Sequence, residues 1–277
     1  ESGRGECARS RPAFAGTRMR SLALAVVLAT TALAVNAGPA EIVKPSVTQS
    51  VAAPAPPRFA RVEKATMRVG MTTNVEARGI TAGEGRDVFE FDGKEYRVSS
   101  DARTAGVARL FKRMDEKRES HGRVTATGIQ PLSFHQERTG KAPKTATFDW
   151  TRRTLRLEEG DDSETVPLPA FTLDQTSLTY AFFFVEPPRK GGFHVHVTDG
   201  RRLPEYDVVF VGQERIRSPR GELDTLRYRK VQAGDDKRGF EFWLSIAHHN
   251  LPVRVRIVEK DGTAFDSNVT KLNFTAR

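Results

Sequence analysis

The chain has 277 residues and a formal net charge of +9, from 44 lysines and arginines against 35 acidic residues. Its one cysteine, Cys7, excludes an intrachain disulfide and a cysteine-built metal site. The basic balance favours anionic surfaces such as lipid headgroups or acidic glycans, and no nucleic-acid-binding motif accompanies it.

Residues 1–18 (ESGRGECARSRPAFAGTR) show no periodicity and read as an upstream extension. Met19 and Arg20 then precede an apolar run from Leu22 to Ala29, and Val35-Asn36-Ala37 offers small residues to a signal peptidase. The pattern predicts a secretory signal peptide over residues 19–37, cleaved after Ala37, and hence a periplasmic or secreted protein. A membrane-spanning helix needs about 20 apolar residues. Ser21–Val35 is shorter than that and carries Thr30 and Thr31. Removing residues 1–37 takes away five arginines and two glutamates and leaves about +6. It also leaves no cysteine for a lipid anchor. Residues 38–58, with Lys44-Pro45 and the run APAPPR, form a Pro/Ala-rich linker that favours extended polyproline structure. Residues 59–277 then constitute a single β-rich domain.

Strand signals dominate that domain. Val88–Phe91 and Glu95–Val98 flank Asp92-Gly93, a hairpin turn. Arg123–Arg138, Thr145–Thr151 and Leu155–Leu157 continue the pattern, with a turn at Arg152-Arg153. Asp199-Gly200 follows the run FHVHV. Near the end, Phe240, Phe242, Leu244 and Ile246 alternate with Glu241, Trp243 and Ser245. Val253, Val255 and Ile257 alternate with Arg254 and Arg256, and Asp261-Gly262 turns into a final run. Period-2 alternation directs one set of side chains to a core and the other to solvent. The fold class read from these signals is mainly β. It is an antiparallel meander forming an open half-barrel or barrel, with one or two short helices packed against it.

Two segments carry helical spacing. Val107, Leu110, Phe111 and Met114 form a stripe that Thr104 is placed to cap. Leu178, Ala181, Phe182 and Val185 repeat the spacing within Asp174–Val185, a segment that also has strand composition. Val166-Pro167-Leu168-Pro169 reads as a loop, and so does GITAGEG at Gly79–Gly85.

An ordered set of short motifs runs through the domain. It comprises Phe148-Asp149-Trp150, Val166-Pro167-Leu168-Pro169 ahead of Leu173–Val185, and Asp199-Gly200-Arg201-Arg202. It continues with GELDTL at Gly221–Leu226 and with Phe242-Trp243-Leu244 followed by Leu251-Pro252-Val253-Arg254. The set resembles domain-of-unknown-function family 3108 of bacterial exported proteins, over about Phe59 to Phe274. That resemblance implies a signal-bearing periplasmic β protein with an open half-barrel wrapped round a helix, similar to lipoprotein carriers. It implies no activity, no catalytic residue and no ligand.

Three constellations are candidates for function. His194 and His196 share one strand face and can ligate one metal ion, although a zinc site requires three or four ligands. His248-His249 would contribute only if the fold brought it close. The pairs Arg215/Arg217, Arg227/Arg229 and Arg254/Arg256 would line one face if their strands were neighbours, and could bind phosphate or carboxylate groups. Cross-strand pairing with Glu214, Glu222, Glu241 or Glu259 would instead make that face an ordinary solvated one. The aromatic residues, among them Tyr180, Phe182, Phe193, Phe242 and Trp243, supply either core or the lining of an acyl-chain cavity.

Catalytic signatures are otherwise missing. There is no G-x-S-x-G elbow and no glycine-rich phosphate loop in a strand–helix context. The leading expectation is a non-enzymatic, cofactor-free binding or envelope-accessory protein for an amphiphilic or anionic component. Its partners would be lipid, glycan or envelope protein, with the membrane surface accessible to it. The alternatives are a metal-dependent hydrolase using His194 and His196, and an interaction protein that pairs through a sheet edge.

Overall fold

Alternating strands build one sheet. The computed structural model describes residues 66–111, 113–232 and 238–276. The expected extension, signal peptide and linker therefore lie outside the described residues. The strands are β1 (Met67–Ala77), β2 (Ile80–Phe91), β3 (Glu95–Thr104), β4 (Asp115–Thr125), β5 (Gly128–Arg138), β6 (Lys144–Asp149), β7 (Thr154–Glu159) and β8 (Asp162–Pro167). After them come β9 (Thr172–Asp174), β10 (Gly192–Thr198), β11 (Glu205–Ser218), β12 (Gly221–Lys230), β13 (Gly239–Ser245), β14 (Leu251–Val258) and β15 (Ala264–Ala276). All fifteen form a single sheet, in which β1 to β8 pair in sequence and β10 to β15 do the same. β1 pairs antiparallel with β15 and joins the two halves. β9 adds to β10 in parallel, so β8 and β9 are the free edges and the barrel stays open.

The hairpin expectations hold in detail. At the β2–β3 turn the Asp92 carboxylate accepts from the backbone N–H of Lys94 and Glu95, at 2.9 and 2.7 Å. Asp149 does the same for Thr151 and Arg152 between β6 and β7. Short carboxylates in this position satisfy turn amides locally, which explains their strong turn preference.

The interior is filled by chain as well as by strands. A 3-10 helix, Ser177–Phe183, lies inside the curved sheet, where Tyr180 is fully buried and stacks on Phe89 at 4.6 Å. Phe182, Phe183, Phe184 and Val185 are buried with it in the main core. Asp174 fixes the start of this insert. Its carboxylate accepts from the N–H groups of Thr176 and Ser177, and from Ser120 Oγ of β4 at 2.6 Å. Tyr96 of β3 lies 3.1 Å behind Ser120. At the far end, the Tyr228 hydroxyl donates to the Pro188 carbonyl at 2.9 Å.

Four local expectations are corrected and one holds. The stripe in 104–114 makes only α1 (Ala108–Phe111), at the tip of the β3–β4 connection, with Val107 54% and Leu110 84% exposed. Thr104 caps no helix. It is the last residue of β3, and its hydroxyl exchanges hydrogen bonds with Met114 N and O. Of the stripe, Met114 is buried against Ala82 and Ala108, while Val107 and Leu110 face solvent. Within 174–185 the expected helix does form, as the 3-10 turn Ser177–Phe183, with Leu178 and Thr179 partly exposed to the chamber. Val166-Pro167 ends the edge strand β8, where a proline costs no ladder bond. Finally, Ile80–Gly85 belongs to β2, since Gly83 and Gly85 pair with Thr104 and Ala102 through backbone groups alone.

Candidate functional site

The concave face of the sheet has chemically distinct rows. Register places Val69, Phe89, Val98, Ser120 and Phe134 side by side across β1 to β5. The adjacent row is Met71, Asp87, Ser100, Arg118 and Gln136, again pointing inward. A polar row inside a barrel is costly unless its groups are paired. Arg118 is 3% exposed and forms an ion pair with Glu116, which is 2% exposed. Burial pushes the Asp87 carboxyl up to about 6, against the opposing effects of the Ser100 hydrogen bond and the Arg118 charge. Burial likewise raises the Asp174 carboxyl and, with the Asp87 charge, the Tyr180 phenol.

Asp87, Ser100 and Arg118 line a pocket together with Thr73, Thr176 and Ser267. Among the described residues, Thr73 Oγ1, Asp87 Oδ1, Thr176 Oγ1 and the Tyr180 hydroxyl are buried and have no hydrogen-bond partner. Gln175, Thr179, Pro252 and Val255 border this pocket and also a larger, apolar one. The larger chamber has a cavity volume of about 100 Å³, and Phe182, Phe193, Val195, Tyr206, Phe242 and Val255 are among its walls. Arg202, Lys230, Arg238 and Glu259 border it too. Arg238 pairs with Glu259 at 2.9 Å, and Lys230 Nζ lies 5.5 Å from the Tyr206 ring centre. The lumen therefore runs from a polar floor through an apolar chamber to basic side chains. None of the floor was singled out from sequence, although the inward phase of Asp87, Ser100 and Arg118 was the signal available.

The arginine pairs are divided between two faces. Arg227, Trp243 and Arg254 stand in one row across β12, β13 and β14, and Arg229, Glu241 and Arg256 in the next, all on the convex side. Trp243 is only 3% exposed there. The Arg227 and Arg254 guanidinium carbons lie 5.1 and 4.8 Å from its ring centre, and its indole N–H donates to Glu214. Ile216, Val253 and Leu223 complete this outer apolar cluster. Arg215 and Arg217 fall on the other face. A bulge between Phe210 and Gly212 shifts the phase of β11, so Arg215 pairs with Asp224 and Gln213 with Leu226.

Carboxylates accompany most of these arginines. Arg215 meets Asp224 at 2.8 Å, Arg227 meets Glu241 at 2.7 Å, and Arg254 and Arg256 both reach Asp266 at 2.8 Å. Burial alone would raise the Asp266 carboxyl, but hydrogen bonds from Arg256 and Arg254 hold it below its ordinary range. Arg217 and Arg229 are exposed.

His194 and His196 project from β10 on the convex side, opposite Asp207 and Glu205 of β11. Their rings are 4.9 Å apart. His248 is elsewhere, 2.8 Å from Ser245 Oγ, and His249 lies against Phe183. Among the described residues no helix is long and apolar enough to cross a membrane.

Comparison with known proteins places the chain in a family. It belongs to the family "protein of unknown function (DUF3108)", whose model matches residues 66–268. No match is found among curated proteins. Among solved structures, the chain is similar to a β-barrel-like protein of domain of unknown function DUF1849 from Brucella abortus. Identity is 14% and the TM-score 0.47, covering 77% of this chain and 99% of that one. It is also similar to a chain of the Pseudomonas aeruginosa MucA/MucB complex, at 14% identity and a TM-score of 0.31, covering 76% of this chain and 52% of that one.

Proposed function

We propose that this DUF3108 member is an exported, periplasmic accessory protein that holds the apolar chain of an envelope amphiphile in its lumen. The observation that carries the reading is the open apolar chamber walled by Phe182, Phe193, Phe242 and Val255. Large concave apolar pockets with a few convergent polar groups are the usual sites of small amphiphilic ligands. An extended acyl-type chain would bury its methylene groups there, at about 0.8 kcal/mol each. Arg202 and Lys230 at the border suit an anionic headgroup. The expected signal peptide over residues 19–37 supports the compartment.

Anion recognition on the convex face is the subordinate reading. An incoming phosphate or carboxylate at Trp243, Arg227, Arg254 and Arg256 would compete with Glu241 and Asp266. Arg229, and Arg215 and Arg217 on the opposite face, would add only solvent-screened attraction.

The test is native mass spectrometry of the gently purified full chain, followed by titration with a fluorescent long-chain fatty acid. Val195→Trp and Val255→Trp fill the chamber with indole rings. A retained lipid mass, and at least a tenfold weaker probe affinity in variants that still unfold cooperatively, is the expected result. Probe binding of equal strength in wild type and both variants would refute the assignment.

A further inference from the structure

The convex face of β10 and β11 carries a cluster that the lumen does not use. Alternation sends Val195 and Val197 into the core and His194 and His196 outward, where the register sets Glu205 opposite His196 and Asp207 opposite His194. One oxygen faces both imidazoles. Glu205 Oε2 is 3.5 Å from His194 Nε2 and 3.6 Å from His196 Nε2. Those separations are long for N–H···O hydrogen bonds, which cluster near 2.9–3.0 Å. The two Glu205 edges are close to a tetrahedral one, since bonds of about 2.0–2.1 Å to one ion put its ligands about 3.3–3.4 Å apart, and the ligand atoms of all three residues lie within 4.8 Å of one another.

The second nitrogen of His194 strengthens the match. His194 Nδ1 sits 2.9 Å from Asp207 Oδ1, which fixes the ring so that Nε2 points towards Glu205. A carboxylate behind a ligating histidine is the usual device for orienting the ring and raising its basicity. The two imidazole planes meet edge to face at 77°. The group of His194, His196 and Glu205 is accessible, with side-chain exposures of 47%, 18% and 70%.

We infer that His194 Nε2, His196 Nε2 and Glu205 Oε2 form a three-ligand site for a late first-row divalent cation such as Zn²⁺, with Asp207 as its positioning residue. Two imidazoles and a carboxylate suit zinc and its neighbours rather than magnesium or calcium, which take all-oxygen sets. Three protein ligands leave a fourth position to water or to a donor from another molecule. The site lies on the opposite side of the sheet from the lumen, so ion and amphiphile would bind independently.

The experiment uses the full chain without a histidine tag, stripped with chelator and dialysed against Zn²⁺, with bound metal counted by mass spectrometry. One Zn²⁺ per chain is expected, abolished in His194→Ala, His196→Ala and Glu205→Gln. Asp207→Asn should weaken it about 10- to 100-fold while keeping the stoichiometry. In unmutated protein, Co²⁺ should broaden the ring resonances of His194 and His196 before those of His121 and His248, a readout that needs no variant to fold. Zero stoichiometry, occupancy that survives His196→Ala, or broadening that begins at another histidine would overturn the assignment.

Discussion

Asp87→Asn is the substitution that most directly tests the buried polar floor. The Asp87 carboxyl is pushed from 3.8 to about 6, chiefly by burial. An acid whose folded value is raised binds its proton more tightly in the native state, so stability falls as pH rises between the two values. The full displacement corresponds to about 3 kcal/mol above both values, of which about 2 kcal/mol falls between about pH 4.5 and 7.5. Asparagine keeps the shape of the protonated acid and does not titrate. Urea unfolding of both proteins at the two pH values should therefore show Asp87→Asn gaining about 2 kcal/mol on the wild type as pH rises, or about 4–8 °C in Tm. Subtracting one protein from the other removes the other titrating groups. A difference that is constant with pH would show that Arg118 and Ser100 fully compensate the buried charge, and the reasoning would fail.

Trp243→Ala removes an indole held between two guanidinium groups and should cost about 3 kcal/mol in the same assay while leaving fatty-acid titration unchanged. Asp266→Ala strands Arg254 and Arg256 together, and a loss of about 1–3 kcal/mol is expected; a neutral result would mean that water replaces the carboxylate without penalty. A Cβ added at Gly122 would clash with the Gln130 carbonyl oxygen and meet Tyr96 Cε1 at 2.8 Å. Gly122→Ala should accordingly destabilise the protein by about 1–3 kcal/mol, read as a lower urea midpoint at unchanged slope.

Where pattern and chemistry were local, the sequence was readable. Asp92-Gly93 and the alternation through Phe240–Ile257 specify their hairpins because each uses only near neighbours. The 3-10 insert at Ser177–Phe183 was ambiguous for the opposite reason: with five of its seven residues buried, it shows no clear face to either period. β11 was misleading in phase, since the bulge beside Gly212 adds a residue that no repeat announces and sends Arg215 and Arg217 away from the other arginines. The third metal-ligand candidate was invisible as well. Glu205 reaches His196 through strand register, which depends on how the Asp199-Gly200 turn closes rather than on spacing along the chain. The polar floor lay one step further off, because it combines strands from the beginning of the domain with Thr176 and Tyr180 from its middle.

The pairing of β1 with β15 has a consequence for the order of folding. The first and last described strands meet along their length, from Met67 opposite Ala276 to Ala77 opposite Phe265, and they do so in the middle of the sheet rather than at an edge. Each half-sheet is a run of hairpins that can form early from contacts close in sequence. Uniting the halves is the contact of greatest sequence separation, and contacts of that kind carry the largest loop-closure cost and come late. Until β15 is available, β1 and β14 remain unpaired edges and the interior stays open. The two halves of such a sheet cannot unite before β15 has been made. A version ending at Gly262 should accordingly bind strand-seeking dyes and aggregate, whereas one ending at Phe274 should fold.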